Sequence, residues 1–315
     1  MPSSSLGDRT VVVRRISIPN EQLPRVGDVH VHRLKYLNLF MAGVHTLLAI
    51  ATIAATRNFN IQAPVFRVHI ELNYSMDHEK NIESIRMSNV SSMDELFAVD
   101  LRPLPSGIPI AWLTLSFFVL TALAHVGAGA LYPKTYYSFL ERKCNPFRWI
   151  EYSITASLMW IILAQAFAFV DVNSLVLSTA MIAVTMASGL QCEYIARPVN
   201  DDTWSSPLWH RLLFLVPGVL LYGTASTTLC VALATGVDGS LPDFVIPTVI
   251  AQLALFESFA LVLTWQQYNP PRRWIYGEYA YQCLSLLSKA LLGIVLIINI
   301  LIYEEYACIF DNASC

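Results

Sequence analysis

One amine stands alone in the apolar part of this sequence. Lys289 lies mid-way along the apolar run 274–302, and no other lysine or arginine falls inside any stretch of membrane-spanning length. A charge at the centre of a bilayer costs at least ~2.5–3.5 kcal/mol, so an ionisable residue there marks a site and needs a partner. Glu151, near the start of another apolar run, is the expected partner. A desolvated amine sheds its proton readily and becomes a nucleophile able to form an imine with an aldehyde. Such an imine keeps a proton only beside a carboxylate.

The neighbours fit that chemistry. Thr155 and Met159 continue the face opened by Glu151 at helical spacing, with Tyr152 and Trp160 alongside. Ser285 precedes Lys289 by one turn, and Thr121 and His125 repeat the same spacing elsewhere. With Trp160, Phe256, Phe259 and Trp265 as an aromatic lining, the set predicts a pocket that is apolar along its length and charged at one end. A long conjugated ligand would suit it.

Positioning these side chains is a task for membrane helices. Of 315 residues, 55% are hydrophobic and 14% charged, far more apolar surface than a soluble domain of this size hides. A helix needs about 20 mostly apolar residues to span a bilayer. The runs 36–55, 108–131, 149–170, 174–195, 212–235, 244–266 and 274–302 all qualify. The predicted fold is an all-α membrane protein, a seven-transmembrane-helix bundle over 36–302 with an external β-hairpin in its first outer loop, 57–107. Residues 1–35 form a cytoplasmic segment and 303–315 an extracellular tail. No run in the first 35 residues is long and apolar enough for a signal peptide, so no cleavage is expected.

Orientation follows from basic residues, which cytoplasmic flanks retain. Arg9, Arg14, Arg15, Arg25, Arg33 and Lys35 precede the first run, and Lys134, Arg142, Lys143 and Arg148 precede the third. Arg197, Arg211, Arg272 and Arg273 fall on the same side, whereas the alternate short segments carry Asp171, Asp238, Asp243, Glu304, Glu305 and Asp311 and no lysine or arginine. The amino terminus is therefore expected in the cytoplasm and the carboxyl terminus outside. Asn-x-Ser/Thr triplets at Asn73, Asn89 and Asn312 all fall on the outer face, with Asn73 and Asn89 the glycosylation candidates. Cys308 and Cys315 share that face, and a disulfide and two free thiols are both open readings. In the long loop, residues 66–74 alternate apolar and polar in the manner of a strand, and 82–90 are expected to return beside it. A lone two-stranded hairpin is marginal in water, so its apolar face is expected to cover the bundle mouth or a second protomer.

The stretch Asn145-Pro-Phe-Arg-Trp-Ile-Glu-Tyr-Ser-Ile-Thr-Ala-Ser157, together with Ser285-Leu-Leu-Ser-Lys-Ala290, resembles the heliorhodopsins. Seven spans with an inside amino terminus match that family's inverted topology, and the resemblance covers about 36–302. It implies a retinal-binding light sensor: all-trans-retinal held as a Schiff base on Lys289, Glu151 as counterion, Ser285 as the hydroxyl at the Schiff base, and Tyr152 as neighbour of the counterion. It implies that His45 and His125 form a polar cavity nearby, that light drives all-trans to 13-cis isomerisation, and that the protein forms a homodimer. Most members move no ions, and some viral members pass protons.

Two features depart from the family pattern. Thr121 stands at a position aligned with serine, and Glu257 falls mid-span where an uncharged residue such as asparagine is expected. With Glu193 and Glu278, Glu257 adds carboxylates able to relay protons, so a light-activated proton-conducting protein is the second reading. A metal hydrolase is disfavoured, because His45 and His125 lack a third convincing ligand and no His-x-x-x-His spacing occurs in a span. Neither an enzyme nor a metal is expected, and no nucleic acid; the expected partners are the lipid bilayer, a second copy and an unidentified signalling protein. A G-protein-coupled receptor would need its amino terminus outside, against the charge map.

Overall fold

The computed structural model describes residues 27–56, 62–63, 66–72, 97–103, 107–166, 171–235 and 244–302. Long apolar helices dominate. The first, α1, runs Asp28–Ala55. α2 covers Ile110–Val126 and widens into a π-helical turn at Gly127–Leu131. A short amphipathic α3, Pro133–Glu141, follows, then α4 at Pro146–Ala166 and α5 at Val172–Ile195. The one-turn α6, Leu208–Arg211, leads into α7, Leu215–Thr235. The last two are α8, Val245–Tyr268, and α9, Trp274–Leu296, which ends in a π-helical segment Ile297–Ile302.

Local chemistry sets several ends. Asp171 caps α5, its carboxylate accepting from the Ser174 amide at 2.8 Å. Prolines open α3 and α4, where a missing N–H costs nothing. Between α3 and α4, Lys143 takes a left-handed backbone, φ 56°, and reverses the chain.

Among the described residues, six helices are long and apolar enough to cross a membrane: Val29–Ala55, Ile110–Leu131, Val172–Ile195, Leu215–Ala234, Val245–Tyr268 and Pro271–Asn299. The described part of α4 is not among them. It carries Arg148, Glu151 and Gln165, and residues 167–170, which complete the expected run 149–170, lie outside the described residues. α1 begins within the segment 1–35 that was expected to stand apart. Its Leu34 is buried against Tyr136, Leu140 and Trp274, which draws the helix back to Asp28.

α1 packs along α2, α2 on α4, α4 on α5 and α5 on α7, while α8 pairs with α9 and α9 returns to α1. α7 meets α8 only sparsely. It is also the least enclosed of the six apolar helices, with 17% of its window buried against 44% for the segment containing α9.

Between α1 and α2, strands β1 (Gln62–Ala63) and β4 (Ile108–Pro109) pair, as do β2 (Phe66–Leu72) and β3 (Phe97–Pro103), both antiparallel. In the β2–β3 ribbon Phe66 faces Pro103 and Leu72 faces Phe97. The alternating strand at 66–74 thus forms over 66–72, but its partner is 97–103. Residues 82–90, expected to pair with it, lie outside the described residues, as do Asn73, Asn89, Asn312, Cys308 and Cys315.

Candidate functional site

α9 carries Lys289 into the bundle centre, where the residue is 2% exposed. α4 delivers Glu151 to it, with Nζ 2.6 Å from Oε1. The Thr121 hydroxyl on α2 donates to the same oxygen at 2.6 Å, and the Thr155 hydroxyl donates to it at 2.9 Å. Three donors from three helices therefore converge on one carboxylate oxygen. Nζ also lies 3.0 Å from the Ser285 hydroxyl, one turn back on α9, and 5.1 Å from the centroid of the Tyr152 ring. A charge-assisted hydrogen bond of this length inside a protein is strong and directional.

The amine heads a cavity of about 280 Å³ lined by Tyr152, Thr155, Met159, Phe256, Phe259 and Ser285, all of them expected, and by Met186, Ala156 and Ser288. Phe259 meets Tyr152 edge-on at 5.2 Å. Trp160 is buried elsewhere, its indole N–H donating to Ser178 at 3.0 Å between α4 and α5. Trp265 faces outward, 42% exposed, so the expected aromatic lining is carried by phenylalanines and methionines instead. Met186 and Ser288 are neither aromatic nor charged, and the one signal between them is the three-residue spacing of Ser288 from Ser285.

A second, polar cavity of about 390 Å³ lies against the other side of the pair, lined in part by Glu151, His125, Asn38, Arg148, Glu278 and Gln282. His125 Nδ1 is 2.8 Å from Asn38 Oδ1. The Asn38 amide nitrogen donates to the Leu34 carbonyl, so its oxygen accepts and His125 Nδ1 carries the proton. His45 stacks parallel to His125 with ring centroids 5.8 Å apart, and its nitrogens have no hydrogen-bond partner among the described residues.

In the wall of this cavity the Arg148 guanidinium bonds to both Glu193 and Glu278 and lies 3.9 Å over the Tyr281 ring. The Asn145 side chain donates to Glu278 at 2.7 Å, and its backbone amide to Glu193 at 2.9 Å. Two of the three expected proton-path carboxylates are thus joined by one cation. Glu257 is elsewhere, exposed on α8. Arg148, one of the basic residues expected to flank the third run, is instead buried. Two carboxylates embedded in the ends of apolar runs are the sign that a cation must join them.

Among the described residues, no group of three His, Cys, Asp or Glu side chains is placed to hold a metal ion. Residues 34–301 match the family model described as Heliorhodopsin. The search of curated proteins gave no match.

Proposed function

The chain belongs to the heliorhodopsin family, whose members are retinal-binding, light-sensing membrane proteins, and from that premise we propose that Lys289 is its retinal attachment point and Glu151 the counterion. One observation carries the reading: a fully enclosed amine, 2.6 Å from a carboxylate, at the head of an apolar cavity. The residues present suit the group. Met159, Met186, Phe256 and Phe259 offer soft and aromatic contacts along the cavity, and polar atoms gather only at the amine end. Retinal, joined to Lys289 as an imine with loss of water, supplies absorption of visible light and the all-trans to 13-cis isomerisation.

The chain's own residues do the rest. Glu151 holds positive charge at the Lys289 nitrogen, Thr121 and Thr155 fix the carboxylate's orientation, and the Ser285 hydroxyl fixes that of Nζ. When the nitrogen's hydrogen is turned from Glu151, its proton has two classes of acceptor: Glu151 itself, or His125 and the polar cavity behind it. The family's role is sensing, so a slow conformational signal to an unidentified partner is the proposed output.

In this reading α4 is a seventh span, because it packs between α2 and α5 and brings Glu151 into the bundle. The bundle, 36–302, forms the light-sensing unit. Residues 1–35 are placed in the cytoplasm by their basic residues, 303–315 and the β2–β3 ribbon outside, and the assembly is a homodimer. A second reading, light-activated proton conduction, draws on the polar cavity, since Glu151 and Glu278 both line it. Glu193 joins that path through Arg148.

Reconstitution with all-trans-retinal tests the main reading. A visible band is expected that Lys289→Ala abolishes and that Glu151→Gln moves to the red or replaces with the near-ultraviolet band of an unprotonated imine. An unchanged spectrum in Glu151→Gln would remove that residue from the counterion role.

A further inference from the structure

A third cavity, of about 570 Å³, lies between α5, α7 and α8. It shares Met186, Phe256 and Phe259 with the cavity at Lys289, so the two abut across these side chains. On the proposed attachment, a stiff polyene leaving Lys289 past these three side chains directs its ring end here. The walls are largely apolar, with Ile182, Leu215, Val219 and Leu263 among them, and Glu257 is the one charged residue in the lining.

The hydroxyls of this lining are already engaged, while the Trp149 indole N–H has no hydrogen-bond partner among the described residues. The Tyr222 hydroxyl donates to the Leu253 carbonyl at 2.8 Å, the Thr185 hydroxyl is 2.8 Å from the Met181 carbonyl, and the Ser188 hydroxyl is 3.0 Å from that of Val184. Glu257 has no hydrogen bond or ion pair among the described residues. It also sits half-way along the 24-residue α8. A carboxyl at that depth without a partner is costly, and a donor brought by a bound molecule would satisfy it.

We propose that Glu257 selects the chromophore, accepting a hydrogen bond from a hydroxyl on the ring of a ring-hydroxylated retinal whose aldehyde end reacts with Lys289. An unsubstituted hydrocarbon ring fills the same space and leaves the carboxyl without its donor. Sites built to hydrogen-bond a hydroxyl discriminate against the analogue that lacks it, whereas purely apolar walls discriminate little. The inference rests on the attachment at Lys289 and adds to it the class of retinal taken.

The test is competitive uptake. The full chain in lipid is supplied with equimolar all-trans-retinal and its ring-hydroxylated form, and the bound aldehydes are extracted and quantified by chromatography. The hydroxylated form is expected in excess by roughly two- to ten-fold, the range one net hydrogen bond supports. Glu257→Gln, which keeps an acceptor, should retain the preference, and Glu257→Leu should lose it. An equal ratio in the native chain, or the same ratio in native and Glu257→Leu proteins, overturns the proposal. So does a Glu257→Leu effect confined to dimer formation, measured by size-exclusion chromatography, which would assign the carboxyl to a contact between copies. If neither aldehyde yields colour, the attachment at Lys289 has failed, an outcome distinct from colour without selectivity.

Discussion

At Glu151, position matters more than charge alone. One oxygen of its carboxylate takes the Lys289, Thr121 and Thr155 donors, so the negative charge is held on the side facing the amine. This pair was legible in the sequence because a lone cation in an apolar run admits few partners and an Arg-Trp-x-Glu-Tyr-Ser motif names one. Arg148 was not, since it lies three positions before Glu151 and nothing in its neighbours distinguishes a flank from an interior. Its burial between Glu193 and Glu278 has an energetic consequence. Removing one member of a buried ionic cluster typically costs ~3–5 kcal/mol, because the remaining charges lose their counterpart. Arg148→Gln is therefore expected to lower the temperature at which the protein loses its colour, and adding Glu278→Gln should recover part of the loss. Equal thermal stability of Arg148→Gln and the native protein would contradict this account.

Among the elements, the close approaches are set by glycines facing side chains. A Cβ at Gly293 of α9 would run into the ring of Phe118 on α2, which is fully buried and has nowhere to move. Overpacking of that kind costs typically ~1–3 kcal/mol. Gly293→Ala should therefore destabilise the α2–α9 contact and speed thermal bleaching. Gly223→Ala on α7, where nothing lies within 4 Å, should leave the bleaching rate near native. Helix positions were readable from apolar runs, because backbone groups in a bilayer must bond within the segment. The π-helical turn at Gly127–Leu131 was not. It coincides with a tight approach of Gly129 to Asn38 on α1, a fit between helices that a single run does not encode. The strand at 66–72 announced itself by alternation, but its pairing with 97–103 joins residues distant in sequence, which alternation alone does not specify.

For the molecule as a whole, the arrangement of polar space separates the two functional readings. Glu151 and Glu278 line one cavity, and Arg148 in the same wall is bonded to both Glu193 and Glu278. Conduction would require that guanidinium to move. Patch-clamp recording under illumination decides between them: currents whose reversal follows the proton gradient, and which Glu193→Gln or Glu278→Gln removes, would establish conduction, while silence under every gradient would leave the sensor. Which carboxylates share a cation was beyond the sequence, as was the isolation of Glu257, since both depend on how helices rotate about their axes. The uneven enclosure of the helices carries a last consequence. α7 has most of its window unburied and touches α8 little, so within one protomer acyl chains would supply much of its packing. Short-chain detergents replace those chains poorly. On delipidation the amides of α7 should exchange with deuterium ahead of those in α9, and restoring lipid should slow them again.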